Sequence, residues 1–308
     1  MNEPGDSVLA TVVRLAHVSD LHLTAPQLNW KPADWLSKRA TGWFNLRWLG
    51  RGHRFRQADE VVTALMQDVR GRQPVHMVFS GDATCLGFEE EVARAADLLG
   101  VSGPDALPGL AVPGNHDYYT RGAAGSGSFE RYFAPWQQGE RIEGAIYPFA
   151  QRVGPLWLVG VNSCTGNRWA WDAAGSVGPA QLARLEALLG RLAPGPRILV
   201  THYPVCLPGG KPEPRHHGLR DLAAVIAVAA RGKVCLWLHG HRHGPYHLTG
   251  SSFSSFPVVC GGTATEQGRW SYGCYTIEGR HFQARRRLYN PIKASFQDGD
   301  AFDLELPC

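Results

Sequence analysis

The stretch that decides the fold is residues 12–22, VVRLAHVSDLH, in which an apolar run ends in two potential metal ligands, Asp20 and His22. Short apolar runs rich in Val and Leu predict a buried strand. The same pattern returns in VHMVFSGD (75–82), LAVPGNHD (110–117), RILVTH (197–202) and VCLWLHGHRH (234–243). Ligands of open α/β sheets bind just past the carboxyl ends of strands. The five runs therefore predict N and O donors gathered at one edge of one sheet.

The composition is that of an ordinary globular chain. Of the 308 residues, 44% are hydrophobic and 19% charged, which allows a sizeable core. The net charge of +4 is too small to indicate nucleic-acid binding. Seven Cys without a CxxC pair argue against a disulfide framework and favour a reducing, cytoplasmic location. No signal peptide is expected, and no window approaches the roughly 18 apolar residues of a membrane span.

The order of patterns predicts one α/β domain over residues 11–296. Residues 1–10 are expected to be a flexible tail, and residues 297–308 an acidic, solvated tail. Residues 121–128, RGAAGSGS, predict a flexible loop. After residue 245 the pattern changes to consecutive strands with Gly-containing turns, which favours antiparallel pairing; these are predicted at 246–249, 256–260, 272–277 and 282–288.

Residues 24–56 form an aromatic and basic insertion, with four Trp and Phe44 among several Lys and Arg. One interpretation is a helical insertion that packs its Trp on the fold and extends its Arg outward. The other is a cap that meets a membrane surface or a lipid-bearing phosphate, or that stacks a nucleobase. In the second interpretation anion attraction comes from Arg39, Arg47, Arg51, Arg54 and Arg56.

The donors at the strand ends suit a transition metal. Asp20 and His22 are two residues apart, so both project to one side of an extended chain. Mixed His, carboxylate and amide donors favour Mn, Fe or Zn over Ca²⁺. They are too many for one tetrahedral ion and enough for two ions about 3.5–4 Å apart that share a carboxylate. The candidate ligands are Asp20, His22, Asp82, Asn115, His202, His241 and His243.

The ordered motifs DLH, GDAT, GNHD, TH and GHRH resemble those of the calcineurin-like metallophosphoesterase superfamily. SGDATCLGFEEE and VPGNHDYYT further resemble the branch that includes the bacterial cyclic-nucleotide phosphodiesterases. The resemblance covers Asp20 to His243 and implies a four-layer α/β/β/α sandwich of two mixed sheets flanked by helices. Ala83 departs from the larger aliphatic residue usual at that packing position, and no core ligand is missing.

The resemblance also implies a role for each motif residue. Asp20, His22, Asp82 and His243 would hold one metal ion, and Asp82, Asn115, His202 and His241 the other, with Asp82 bridging. His116 would contact the substrate phosphate or protonate the leaving group, and Asp117 would orient His116. A metal-bridging hydroxide would attack phosphorus in line, while the metals and a protonated His116 offset the developing charge.

The implied function is hydrolysis of a phosphate ester, with a phosphodiester favoured over a monoester. A lipid-linked phosphodiester or pyrophosphate hydrolase is an alternative, and so is a metal-bearing scaffold protein. The weak basic balance gives little support to a nuclease. The expected partner is a phosphate-ester small molecule or lipid, with peripheral membrane contact left open. Additional candidates for substrate contact are Arg242, His216, His217 and Arg220.

Overall fold

The structure, a computed structural model, describes residues 11–250 and 254–307. In these ranges the strands are β1 (Val13–Val18), β2 (His76–Phe79), β3 (Gly109–Ala111), β4 (Glu140–Arg141), β5 (Phe149–Val153), β6 (Leu156–Gly160), β7 (Arg197–Val200), β8 (Val234–His239), β9 (Tyr246–Leu248), β10 (Val258–Cys260), β11 (Ser271–Glu278), β12 (His281–Asn290) and β13 (Ser295–Glu305). The α-helices are α1 (Pro32–Trp35), α2 (Lys38–Trp48), α3 (Arg51–Arg54), α4 (Ala58–Arg72), α5 (Glu89–Leu98), α6 (Arg121–Ser126), α7 (Ser128–Tyr132), α8 (Pro179–Arg191) and α9 (Leu222–Arg231). A 3-10 turn covers Ala134–Gln137.

The strands form two mixed sheets. The first has the order β13-β12-β11-β1-β2-β3 and the second the order β4-β5-β6-β7-β8-β10-β9. Parallel pairing joins β1, β2 and β3 in the first sheet and β6, β7, β8 and β10 in the second. Antiparallel strands extend both sheets, as predicted for the region after residue 245.

Alternating side chains divide the core into layers. Val78 of β2 packs with Leu158 and Leu236 of the second sheet, so these residues lie between the sheets. Met77 and Phe79, on either side of Val78, belong to the cluster that packs under α4 and α5. Helices α8 and α9 cover the outer face of the second sheet. The predicted four-layer α/β/β/α sandwich is therefore confirmed.

The candidate ligands follow strands of both sheets, so the prediction of one edge of one sheet is wrong. β1, β2 and β3 belong to the first sheet, whereas β7 and β8 belong to the second. The parallel strands of both sheets end on the same side of the sandwich, as the hydrogen bond from the His241 backbone N to Asp20 Oδ2 at 3.0 Å demonstrates. Loops from two sheets thus converge.

The acidic C-terminal stretch is a strand and not a tail. β13 pairs antiparallel with β12 from Ser295 to Glu305. Asp300 Oδ1 lies 3.0 Å from Arg286 Nη1 on the neighbouring strand. Cross-strand pairs of opposite charge stabilise an edge strand, which explains why a polar sequence is ordered here. The predicted domain end at 296 is therefore wrong, while the tail predicted for residues 1–10 lies outside the described residues.

The predicted loop at 121–128 contains helix α6 instead. Thr120 Oγ1 accepts a hydrogen bond from the Ala123 backbone N at 3.1 Å, which caps the helix. Gly127, with φ of 65°, ends it. The Gly, Ala and Ser composition of this segment indicated a loop. The Thr120 cap at one end and Gly127 at the other nevertheless allow one short helix.

The insertion at 24–56 contains α1, α2 and α3. Its inner side chains, Trp30, Trp43 and Leu46, pack on Leu86 and Phe88 after β2. Three outer side chains are largely exposed: Leu36 at 94%, Trp48 at 68% and Leu49 at 67%. In the described ranges, no helix has the length and apolar character that a membrane span requires. The packing agrees with the helical interpretation and leaves an apolar outer surface.

Candidate metal centre

The seven candidate ligands meet at the converging strand ends. Asp20 and His22 follow β1, Asp82 follows β2, Asn115 follows β3, His202 follows β7, and His241 and His243 follow β8. Three overlapping groups have potential ligand atoms all within 4.8 Å of one another, namely Asp20–His22–His243, His22–Asp82–His116 and Asp20–Asp82–His202.

One half of the cluster surrounds Asp20 Oδ1. His243 Nε2 lies 3.4 Å from this oxygen and His22 Nε2 lies 3.9 Å from it. The two Nε2 atoms are 3.0 Å apart. Asp20 Oδ1 is buried and accepts no hydrogen bond from the described residues. A buried carboxylate oxygen without a donor is costly, so a cation at this position fits the donor set.

The other half surrounds Asn115 Oδ1. His202 Nε2 lies 3.1 Å from this oxygen and His241 Nδ1 lies 3.0 Å from it. Asp82 Oδ2 is 3.4 Å from His202 Nε2 and 3.6 Å from His22 Nε2. The Asp82 carboxylate therefore contacts one imidazole of each half, which is the position a bridging ligand requires.

Two imidazoles, those of His202 and His243, are oriented by a hydrogen bond at the second nitrogen, and a carboxylate lies near the second nitrogen of His241. His202 Nδ1 donates to Ser80 O at 2.8 Å. His243 Nδ1 lies 2.6 Å from Glu266 Oε2, and His241 Nε2 lies 3.3 Å from Glu213 Oε2. Such partners fix the tautomer and leave the other nitrogen free for a metal.

Sequence reasoning missed both glutamates. Glu213 lies in a loop rich in Pro and Gly, and Glu266 lies 23 positions beyond His243. Neither belongs to a motif or to a periodic segment. The one available signal was the general expectation that a ligating His donates its second nitrogen to a carboxylate.

Left-handed backbone is concentrated at this site. Asp20, His22, Asp82, His241 and His243 have φ values of 55°, 45°, 58°, 70° and 54°. They make up five of the nine non-glycine residues with positive φ in the described part of the chain. Such conformations cost roughly 1–3 kcal/mol each and persist where the surrounding structure enforces them. The loops are thus held in strained turns that aim these side chains inward.

Two glycines permit the loops to approach one another. A Cβ on Gly114 would lie 2.1 Å from Asp82 Oδ1, and a Cβ on Gly240 would lie 2.0 Å from Ser19 Oγ. Neither space admits a side chain. Gly114 therefore brings the loop after β3 against Asp82, and Gly240 brings the loop after β8 against the loop after β1.

His116 is fixed on three sides. Its backbone N donates to Asp82 Oδ1 at 2.7 Å, and its Nδ1 lies 2.7 Å from Cys85 O. Arg51 Nη2, from the insertion, donates to its Nε2 at 2.9 Å. A carbonyl at Nδ1 and a guanidinium at Nε2 define a neutral ring with its proton on Nδ1. Burial, and then the charge of Arg51, hold the pKa of His116 well below its usual value. The predicted protonated His116 is therefore not the form favoured in this arrangement.

Asp117 does not contact the His116 ring, which corrects the predicted orienting role. Its carboxylate accepts hydrogen bonds from the backbone N atoms of Asp82 (2.9 Å), Thr84 (3.0 Å) and Gly114 (2.8 Å). The group that contacts Nδ1 of His116 is the backbone carbonyl of Cys85, not the Asp117 carboxylate. Asp117 instead joins the loops after β2 and β3, and it acts on His116 only through the backbone.

The four candidates for substrate contact have different surroundings. Arg242 Nη1 donates to Glu213 Oε1 at 2.7 Å, next to His241. Arg220 Nη2 donates to Asp172 Oδ2 at 2.6 Å. His216 and His217 are exposed, and no hydrogen bond or ion pair within the described ranges joins either ring to the candidate ligands. Contact of these four with substrate stays a prediction.

Opposite charges dominate the middle of the cluster. Burial alone would raise the pKa of Asp82, but the charge of His202 and its hydrogen bond hold it well below its usual range. Burial likewise opposes a charged His202, yet the Asp82 carboxylate raises the pKa of His202 to about 9. The metal-free centre therefore favours a carboxylate at Asp82 and a proton on His202, and a cation can replace that proton.

The chain belongs to the calcineurin-like phosphoesterase family, whose family model matches residues 13–245. The sequence has no significant match among curated proteins. Its fold is similar to that of a dimetal phosphatase from Danio rerio, with a TM-score of 0.63 and 14% identity, covering 95% of this chain and 98% of that one.

Two other solved structures share the fold. Purple acid phosphatase PPD1 from yellow lupin (Lupinus luteus) seeds has a TM-score of 0.57 and 14% identity, covering 96% of this chain and 54% of that one. GAP50, the anchor in the inner membrane complex of Plasmodium, has a TM-score of 0.55 and 10% identity, covering 96% of this chain and 90% of that one. At these identities the likeness establishes the fold alone.

Proposed function

We propose that this protein is a dinuclear metal-dependent phosphoesterase that prefers phosphodiesters. The observation that carries the proposal is the Asp82 carboxylate, whose Oδ2 lies within 3.6 Å of an imidazole from each half of the cluster. We assign one ion to Asp20, His22, Asp82 and His243. We assign the other to Asp82, Asn115, His202 and His241. Mn, Fe and Zn all suit this donor set.

When bound, two such ions would lower the pKa of a coordinated water and offset negative charge on the phosphoryl oxygens. The chain itself supplies orientation. Ser80 O and Glu266 fix the imidazoles of His202 and His243 through their second nitrogens, and Glu213 lies 3.3 Å from the second nitrogen of His241. The strained turns and the Asp117 hydrogen bonds hold the loops that carry Asp82 and Asn115. Little reorganisation would then be needed when substrate binds.

We assign Arg51 to the substrate phosphate and His116 to the neighbouring leaving-group oxygen. As found, the Arg51 guanidinium occupies His116 Nε2 and disfavours a proton there. A dianionic or monoanionic phosphoryl group would offset the charge of Arg51 and accept its N–H donors. His116 Nε2 would then be free to bind a proton and to pass it to the leaving group.

The deciding experiment compares bis(p-nitrophenyl) phosphate with p-nitrophenyl phosphate after chelation and re-addition of Mn²⁺, Zn²⁺ or Mg²⁺. We expect turnover to return with metal and to be faster for the diester. A faster monoester reaction would support the phosphomonoesterase alternative. In a His116→Ala variant we expect turnover to fall while the two bound ions remain. A wild-type protein that binds two ions and hydrolyses neither ester would support the scaffold alternative, for which GAP50, an anchor, shares the fold.

A lipid-linked phosphodiester or pyrophosphate is the second candidate substrate. The observation that favours it is the exposed outer surface of the insertion, with Trp48 and Leu49 about two-thirds exposed. Peripheral contact with a membrane belongs to the same candidate. The net charge of the whole chain is only +4, so a nucleic-acid substrate has no comparable support. A cytoplasmic location is likewise proposed, supported by the buried free thiols of Cys85, Cys164 and Cys260.

A further inference from the structure

A cavity of about 670 Å³ lies between the insertion and the candidate metal centre. Its walls include Leu28, Trp30, Trp43, Leu46 and Phe55. His22, a candidate metal ligand, forms part of the same wall. The cavity therefore shares one wall residue, His22, with the candidate metal centre, and its size suits an organic substituent.

The wall nearest the centre is aromatic. The Phe55 ring lies with its centroid 4.8 Å from that of His22 and 6.1 Å from that of His243. Elsewhere in the wall, Trp30 and Trp43 meet edge to face with centroids 6.4 Å apart. These rings line a space without filling it, although they pack well against the protein elsewhere.

The polar side chains in the wall include two cations, Arg47 and Arg56. The others are His22, Thr24, His53 and Asp59. Asp59 already accepts two hydrogen bonds from Arg94. Recognition of a sugar or a base requires several directed polar groups, because unpaired donors and acceptors are costly to bury. An apolar wall with basic residues suits a hydrophobic group attached to an anionic phosphate.

We propose that this cavity binds an aryl or alkyl substituent of the phosphate ester whose phosphorus lies at the metal centre. The inference rests on the proposed function and narrows it to amphipathic phosphate esters. The insertion is then the part of the chain that selects substrate: it supplies Arg51 toward the phosphate and Trp30, Trp43 and Leu46 toward the apolar group.

The test compares hexyl p-nitrophenyl phosphate with methyl p-nitrophenyl phosphate on the metal-loaded protein. Each buried methylene favours binding by roughly fourfold, so we expect kcat/KM for the hexyl ester to exceed that for the methyl ester by about tenfold or more. Binding is measured separately by calorimetry with phenylphosphonate and methylphosphonate, which are not hydrolysed. We expect tighter binding of the phenyl compound.

Three variants locate the effect. Leu46→Asp places a charge in the wall, and Ala25→Phe, at a half-buried wall position, fills the space. Both should bring the hexyl-to-methyl ratio close to one. Leu36→Asp is the matched control, because Leu36 belongs to the same insertion, is 94% exposed and does not line the cavity. It should keep the wild-type ratio. Two chemically opposite wall variants guard against a folding defect in either one.

The outcomes separate this inference from the proposed function. Equal turnover of both esters, or a hexyl preference that survives in Leu46→Asp and Ala25→Phe, would overturn the cavity assignment and leave the phosphoesterase in place. No turnover of either ester by protein with two bound ions would overturn the proposed function. In that case, tighter binding of phenylphosphonate than of methylphosphonate would support the cavity assignment, and equal binding would overturn it.

Discussion

Arg51 joins the insertion to the centre through one hydrogen bond, from its Nη2 to His116 Nε2. We expect Arg51→Ala to lower kcat/KM for a phosphodiester by about 10- to 100-fold, since a hydrogen bond from a charged group contributes about 1.5–3 kcal/mol. The bound metal content, measured by elemental analysis, should not change. Arg51→Lys should restore part of the activity through its charge.

Lys31→Ala is the control for this prediction, because Lys31 lies on the same insertion, is exposed and does not line the cavity. Its loss should change kcat/KM for a small diester far less. Removing Arg51 should also shift the pH profile, since its charge disfavours a proton on His116. An Arg51→Ala enzyme with unchanged KM, kcat and pH profile would contradict the assigned role.

His202 makes metal binding dependent on pH. Against the effect of burial, Asp82 raises the pKa of His202 to about 9 in the metal-free centre. A metal needs this imidazole neutral, so binding at about pH 7.5 should expel close to one proton, and affinity should rise with pH up to about 9. Calorimetric titration with Zn²⁺ in two buffers of different ionisation enthalpy measures the proton count. Identical apparent enthalpies in both buffers would contradict it.

At the residue scale, the ligands were predictable and their partners were not. Asp20 or His202 can be found from sequence because each follows an apolar run, and the run fixes its place in the sheet. Glu266 and Arg51 reach the centre only after loops far apart in the chain have folded together. Local periodicity carries no information about such contacts.

At the scale of elements, α4 is bound to the antiparallel end of the first sheet by one buried ion pair. Arg287 on β12 donates to Asp68 on α4 through Nε at 2.8 Å and Nη2 at 2.7 Å. Tyr272 OH donates to the same carboxylate at 2.5 Å. The Arg287 side chain is 4% exposed, and its charge faces two carboxylates, that of Asp68 and that of Asp298 on β13.

We expect Asp68→Asn to lower the free energy of unfolding by about 2 kcal/mol at neutral pH, somewhat less than for a fully buried pair. Burial alone would raise the pKa of Asp68, but the hydrogen bonds from Arg287 and Tyr272 lower it below its usual value. A lowered carboxyl pKa stabilises the fold above the unfolded pKa of about 4, and this stability is lost as pH falls through the folded value. The difference between wild type and variant should therefore shrink below about pH 4.

Urea unfolding at several pH values measures this difference. Glu186→Gln is the control, because the Glu186–Arg231 pair joins two helices at the surface with both side chains more than half exposed. Such pairs contribute about 0–1 kcal/mol. A loss in Asp68→Asn that is no larger than in Glu186→Gln, or that does not vary with pH, would contradict the prediction.

Strands and helices were predictable where the apolar pattern was strong. They were missed where contacts with other parts of the chain determine the secondary structure. β2 and β8 are buried on both faces and read directly as strands. β13 is polar along most of its length, and it is a strand because β12 supplies backbone partners and arginines opposite its acids. Helix α6 depends on its cap, which composition does not reveal.

At the scale of the whole molecule, charge is distributed unevenly. Residues 24–56 contain seven Lys and Arg and one Asp, a net charge of +6 where the whole chain has +4. Lys31, Arg47 and Arg56 form no ion pair within the part of the chain that the structure describes. The exposed Trp48 and Leu49 lie on the same insertion. Cations beside exposed apolar residues favour an anionic lipid surface.

We expect the protein to sediment with vesicles containing phosphatidylglycerol and much less with phosphatidylcholine vesicles. Replacing Trp48 and Leu49 together by Glu should weaken binding by about tenfold or more, since each basic residue near the surface contributes only about 1 kcal/mol and the apolar contacts add to it. Ile292→Glu is the control, because Ile292 is 94% exposed but lies between β12 and β13. Equal sedimentation with both lipids would contradict the prediction.

The strained turns at five candidate ligands have a consequence for how these positions change during evolution. A glycine at any of these positions would adopt the same backbone at little cost, and it would remove a ligand. Backbone strain alone would therefore favour glycine at these turns. The Asp and His side chains are worth their strain only if they make contacts that glycine cannot, such as those proposed with two metal ions. A relative that shares this fold but has glycine at these turns would be expected to keep the two-sheet sandwich and to lack the metal centre.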